Sequence, residues 1–358
     1  MCNLKQFVLL LLLATILSQL AACGRNGTTD YSNDNTTSGD LNVSETTPVP
    51  EPIPTTTQPP APISTSQPSR ETIDEIPFLW LVTAPHGQTM YMFGTIHHGT
   101  ADFYPLPDEL MDAFRRSDYL AMEVPLDFTN RDWTVPINLE DYMTEDQRQE
   151  LRHQAMVIFG EYESYFLEIM DITLDDLYDL DLAMLSGIMS RMAYIKSGAL
   201  ERYGMEHYFF HQVEREAQRG LRRRMRILYI EDYVELDESI RNLSVPFMIR
   251  ALERTFNTGI SAQAEEIRMS MEFWRSGDEQ GLLYLLNLEL DNLNDDDLAA
   301  EWRHVFLTTR DRQMADRASE YMAEGKKVFF MVGAGHLIGE DNVIDLLVQR
   351  GYEAIRIR

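Results

Sequence analysis

The sequence predicts an α/β fold: a mostly parallel central sheet flanked by helices, with helical insertions forming a cap. Three observations carry this. Short apolar β-rich runs alternate with helical stretches through the last 280 or so residues, which is the βα pattern of a parallel sheet. Several of those runs end in a polar residue placed where α/β folds collect ligands, beyond the carboxyl ends of the strands. Long helical patterns with acidic faces interrupt the alternation twice, at about 139–199 and 237–301.

Taken in order, the first two runs are Phe78–Thr83 and Gln88–Phe93 around Ala84-Pro85-His86-Gly87, a hairpin signal. The second run ends in Gly94-Thr95-Ile96-His97. After Pro105-Leu106-Pro107-Asp108, apolar spacing at Leu110, Met111 and Phe114 marks a helix, which feeds the buried-strand pattern Asp118–Val124 carrying Glu123. Later, a helix over Met205–Arg219 feeds Met225–Ile230, whose next residue is Glu231. A helix at about Thr309–Glu324 feeds Lys327–Val332, followed by Gly333-Ala334-Gly335-His336 and a helix through Val348. Gly351–Ile357 supplies a last strand. The two insertions form the cap, excluding water and defining a cleft suited to an extended peptide.

Before residue 71 the chain is of another kind. Lys5, an apolar run from Phe7 to Leu17 and Leu20-Ala21-Ala22-Cys23 read as a lipoprotein signal over residues 1–22. The run is shorter than the roughly 20 apolar residues a spanning helix needs. Cys23 is then the lipidated first residue of the mature chain, tethered to a bacterial membrane on an outward face, either the cell surface or the outer membrane. Residues 23–70, dense in Thr, Ser, Pro and Asn, cannot bury enough apolar surface to offset their ordering entropy and read as a disordered stalk. The folded part is 71–358.

Composition excludes several functions. The net charge is −27, with residues 1–70 contributing only −2, so the folded region repels phosphate backbones and nucleic acid is not a partner. The basic cluster Arg219, Arg222, Arg223, Arg224 and Arg226 reads as a solvated helix end. Cys2 leaves with the signal and Cys23 is lipidated, which excludes cysteine catalysis. No P-loop, dinucleotide glycine fingerprint or Gly-x-Ser-x-Gly elbow is present, which argues against nucleotide chemistry and serine hydrolysis.

What remains is a set of polar residues gathered by one fold-level rule. His97, Glu123, Glu231 and His336 each follow a β run, and in two cases glycine ends the run with His three residues later. The two imidazoles with one or two of the carboxylates form a ligand set suited to Zn²⁺, Mn²⁺ or another divalent ion, which acidifies a bound water and polarises a carbonyl. Without a metal the same groups serve as general base and acid. Arg310 and Arg312 either steer a substrate carboxylate or pair with Asp311 and Asp316 on a helix surface. His98 is expected on the opposite side from His97, supporting or exposed. His86 reads as a turn residue, and His153, His207, His211 and His304 as solvated or core-edge helix positions. Met184, Met189 and Met192 read as helix core.

Phe93–His97, the strand ending in Glu123, Gly204-Met205-Glu206 with downstream Glu231, Arg310 with Met314, and Val332–Leu337 together resemble the TraB/PrgY/GumN family. The resemblance spans most of Trp80–Arg358. It implies a fold related to the erythromycin-esterase and ChaN-like group, with an active site built on the two His and acidic partners. It also implies relatives, among them animal Tiki proteins, described as metal-dependent proteases of secreted proteins, and bacterial members linked to peptide-pheromone shutdown. His97, Glu123 and His336 match the motif directly. Glu231 and Arg310 match less sharply, and at Glu231 the chain departs locally, with Tyr229-Ile230-Glu231-Asp232 where the family shows Leu-Glu-Thr. Two function classes fit: a tethered metal-dependent hydrolase of peptides or secreted proteins, with His97, His336 and Glu123 holding the Mn, Co or Zn ion and Glu231 as base, and a non-catalytic lipoprotein that captures a peptide or small ligand; a metal-independent esterase-like hydrolase is the further alternative.

Overall fold

The computed structural model describes residues 76–126, 139–164, 167, 173–178, 180–218 and 225–358. The signal segment, Cys23, the stalk and Arg219 to Arg224 lie outside the described residues.

Six strands form one sheet: β1 (Leu79–Thr83), β2 (Thr89–Thr95), β3 (Tyr119–Met122), β4 (Arg226–Tyr229), β5 (Val328–Gly333) and β6 (Glu353–Ile357), in the order β4-β3-β5-β2-β1-β6. β4, β3, β5 and β2 run parallel, whereas β1 is antiparallel to both β2 and β6. The sheet is therefore mostly parallel, as the alternation implied. The β1–β2 hairpin closes through the Ala84–Gly87 turn, where Ala84 accepts from the Gly87 N–H at 2.8 Å and Gly87 adopts φ +88°, a value that favours glycine. β5 lies at the centre and is buried at every position, which explains its unbroken apolar sequence.

The helices follow the same logic. α1 (Asp108–Arg115) buries Leu110, Met111, Ala113 and Phe114, the face its spacing marked. The first insertion holds α2 (Glu145–Glu161), α3 (Leu174–Tyr178) and α4 (Leu182–Ser197). α2 opens with a reciprocal capping box between Thr144 and Gln147. α5 (Met205–Gln218) precedes β4, and α6 (Tyr233–Arg241) follows it. The second insertion continues with α7 (Val245–Arg275), α8 (Glu279–Leu293) and α9 (Asp296–Arg303). α7 is broken at Gly259, whose φ of 70° lies outside the helical range. A π-helical turn over His304–Thr308 leads into α10 (Thr309–Ala323), and α11 (Val343–Gln349) precedes β6.

One large apolar cluster packs the sheet and its flanking helices, and two smaller clusters are built within the helical insertions. Met189 and Met192 are fully buried in one of the latter, as core. The insertions also meet the sheet directly: Trp274 of α7 donates its indole N–H to the Gly94 carbonyl at 2.9 Å, at the end of β2. Among the described residues no helix is long and apolar enough to cross a membrane.

Candidate functional site

The four adjacent parallel strands deliver four polar residues to one sheet edge. The β3–β4 ladder continues past both strands, Ile230 N–H donating to Met122 C=O at 2.9 Å and Glu231 N–H to Glu123 C=O at 3.0 Å. Glu123 and Glu231 are thus set side by side. On the neighbouring pair, Thr95 of β2 is in register with Gly333 of β5, so the turns carrying His97 and His336 start level with each other.

Arg310 joins the first pair. It reaches in from α10, buried, and donates Nε to Glu231 Oε1 at 2.7 Å and Nη2 to Glu231 Oε2 at 2.5 Å and Glu123 Oε2 at 2.8 Å. The other oxygen of Glu123 accepts from the Gly333 N–H. Burial alone would depress the guanidinium, but the charges and hydrogen bonds of Glu231 and Glu123 outweigh it and hold it above its ordinary value. Arg310 Nη1 has no partner. Asp316 instead pairs with Arg350 at 2.7 Å, and Arg312 is exposed. The surface-pairing reading of Arg310 with Asp311 and Asp316 is therefore corrected: its bidentate fork faces inward because two buried carboxylates demand a cation.

Each histidine has its own carboxylate. His97 Nδ1 lies 3.1 Å from Glu206 Oε1, and the Thr95 hydroxyl donates to the same oxygen. His336 Nδ1 lies 2.5 Å from Asp311 Oδ1, with the imidazole wholly buried. In both rings Nε2 is buried and unpartnered. A carboxylate on Nδ1 fixes the ring and its tautomer, leaving Nε2 as the working atom. Burial pulls the His97 imidazole down, yet the Glu206 charge and hydrogen bond, assisted by Glu123 and opposed by Arg310, leave it raised. Glu206 is held at about 2, its burial outweighed by the His97 charge and by the hydrogen bonds of His97 and Thr95.

Glu206 and Asp311 are site residues that the sequence reading did not assign. Glu206 is placed by the start of α5, where Met205 N–H donates to Ile96 C=O at 3.0 Å and a Cβ at Gly204 would collide with the His97 carbonyl. The Gly204-Met205-Glu206 string carried that signal. Asp311 follows Arg310 just after the π-helical turn, both of them buried, a placement that no local sequence pattern marks. Gly94 serves packing, since a Cβ there would lie 2.8 Å from Phe78 Cβ and 3.0 Å from Ala334 Cα.

The remaining histidines separate from the site. His98 is buried, not exposed, its ring stacked on Tyr194 with centroids 4.2 Å apart, and burial with the His97 charge lowers it to about 4. His86, His153 and His304 are exposed, and His207 and His211 pair with Glu201 and Glu214 at 2.7 and 3.0 Å.

The donor chemistry fits a divalent ion only in part. Two buried, carboxylate-oriented imidazoles with open Nε2 atoms suit one. Glu123, the third expected ligand, has its oxygens engaged by Gly333 and Arg310, and among the described residues no three His, Cys, Asp or Glu side chains form a metal-holding group.

No curated protein and no solved structure matches this chain. A family model does, across residues 78–356, the stretch that contains the whole sheet apart from its last residue and every site residue named above. The chain belongs to the TraB/PrgY/gumN family.

Proposed function

We propose that the chain is a hydrolase of peptides or secreted proteins, held at the outward face of a bacterial membrane through lipid on Cys23. The observation that carries the catalytic part is the pair of buried carboxylate–imidazole dyads with free Nε2 atoms, Glu206–His97 and Asp311–His336, beside the cation Arg310. Two such dyads at one strand edge suit one base and one acid.

His336 Nε2 takes a proton from water as its oxygen attacks the scissile carbonyl. Arg310, through its unpartnered Nη1, stabilises the oxyanion that forms, and Glu123 and Glu231 hold the guanidinium in place. His97, kept protonated by Glu206, donates from Nε2 to the departing amine as the C–N bond breaks. Proton transfer through water from His336 to His97 restores the starting state. The expected base Glu231 becomes a positioning residue in this scheme, because Arg310 occupies both of its oxygens. A divalent ion, Mn, Co or Zn, bound by the two Nε2 atoms would supply a polarised water, and no step above depends on it.

The saturated carboxylates also favour a second reading, a lipoprotein that captures a peptide without cleaving it. A peptide-library digestion read by mass spectrometry, with and without added Mn²⁺, Co²⁺ or Zn²⁺, separates the two. Cleavage lost in His97→Ala and His336→Ala supports the hydrolase, and no cleavage with retained peptide binding supports capture.

A further inference from the structure

A second group of buried charges lies among the helical insertions. Arg254, on the first half of α7, donates Nη2 to Glu289 of α8 at 2.5 Å and to Glu266, beyond the Gly259 break, at 3.3 Å. These side chains line a cavity of about 110 Å³ whose other walls include Thr95, Ile96 and Ala334 of the strand-end turns. That is room for roughly eight waters, or for one amino-acid residue.

One guanidinium faces two carboxylates here, so with both ionised the cavity carries one excess negative charge, a state that an incoming cation favours and an incoming anion opposes. Gln263 Oε1 and Ser190 Oγ, both on buried residues lining the cavity, have no partner and are open acceptors. Arg254 Nε and Trp302 Nε1 are unpartnered donors on residues that line the same cavity, and either suits a carbonyl oxygen. Met271, Leu282, Leu285 and Leu286 complete the lining with apolar surface. Acceptors for an ammonium, donors for a carbonyl and an apolar floor describe one ligand.

We propose that this cavity binds the free amino-terminal residue of a peptide: a primary ammonium at the Glu266–Glu289 pair, its carbonyl on Arg254 or Trp302, and an apolar side chain on the floor. The peptide identity of the ligand rests on the hydrolase reading, whereas the ammonium site does not.

Binding also moves a proton. Burial pushes the Glu289 carboxyl up to about 7, with Arg254 opposing and the Glu266 charge adding to the rise. His98 and Tyr194 face the cavity from the strand-end turn and α4, and both are uncharged at pH 6.5. An ammonium arriving near neutral pH favours the ionised Glu289 carboxylate, so binding is accompanied by proton release.

The test is calorimetry on the full chain at pH 6.5 in buffers of different ionisation enthalpy, with leucinamide, N-acetylleucinamide and 3-methylbutylamine. Leucinamide is expected to bind at least 10-fold more tightly than its acetylated form, with proton release, and to weaken at least 10-fold in Glu266→Gln and in Glu289→Gln. 3-Methylbutylamine, lacking the carbonyl, is expected to bind more weakly than leucinamide; equal binding overturns the peptide-end assignment in favour of a simple amine site. Equal affinity for the acetylated ligand, measured on the unmodified protein and so independent of how the variants fold, overturns the proposal. Leucinamide binding without cleavage of any peptide leaves this site standing and removes the hydrolase reading. Equal cleavage of free and acetylated peptides does the reverse.

Discussion

Glu206→Gln removes one charge from the site while keeping a side chain of the same shape. In the native protein Glu206 is held at about 2 against an ordinary 4.5 by His97 at 3.1 Å and by the Thr95 hydroxyl. A displacement of that size corresponds to about 3 kcal/mol of preference for the ionised form in the fold. The stabilisation is complete above 4.5 and is lost as pH falls through about 2. His97, raised above 6.5, contributes with the opposite sense: its share is complete below 6.5 and is lost as pH rises through the elevated folded value. Both shifts describe one interaction and are counted once. Between pH 5.5 and 3.5 the wild-type protein should lose about 1 kcal/mol through Glu206 that the Gln variant does not lose. Urea unfolding of both proteins at the two pH values measures this difference. The variant should also lower turnover about 10- to 100-fold, the usual cost of losing a carboxylate that orients a working imidazole. Its alkaline rate limb should move to lower pH, because His97 loses the charge that keeps it protonated. Identical pH dependence of stability in the two proteins, with an unmoved alkaline limb, refutes the Glu206–His97 argument.

Three other perturbations follow from the same geometry. Arg310→Met leaves Glu123 and Glu231 as neighbouring buried carboxylates without a cation, and should cost about 3–5 kcal/mol in urea unfolding; a loss below 1 kcal/mol contradicts the buried triad. Gly204→Ala drives a methyl into the His97 carbonyl and should cost about 1–3 kcal/mol, with turnover reduced because the start of α5 also carries Glu206; unchanged stability shows that the contact is not close. Cys23→Ser should release the protein from the membrane fraction with an unchanged melting temperature, and continued full membrane fractionation contradicts lipid anchoring.

The convergence of the site was legible in the sequence because parallel strands obey a simple rule. An apolar run ended by His97, Glu123, Glu231 or His336 places that residue at the strands' carboxyl edge, whatever the order of the strands. That order was not legible: β5 lies between β3 and β2 through pairing across more than 200 residues, which local patterns do not encode. The helical contributors were hidden for a related reason. Glu206 and Asp311 face inward only because Met205 docks on the Ile96 carbonyl and a π-helical turn precedes Arg310, and each depends on packing rather than periodicity. The same limit hid the inward turn of Arg310, which sequence left open between steering a substrate carboxylate and pairing on a helix surface and which bridges the buried Glu123 and Glu231. The Arg254 cavity needs the Gly259 break, which brings residues 12 positions apart into contact across a helix that reads as continuous.

The most direct test of the central claim, that the two dyads form a hydrolytic site, is a quantitative digestion of a peptide library by the purified protein and by its His97→Ala and His336→Ala variants, with folding verified by thermal unfolding. Cleavage by the parent is expected, with at least a 100-fold fall in rate in each variant at nearly unchanged melting temperature. Cleavage by both variants at the parental rate, or no cleavage of any library member by the parent in the presence or absence of Mn²⁺, Co²⁺ or Zn²⁺, contradicts that claim.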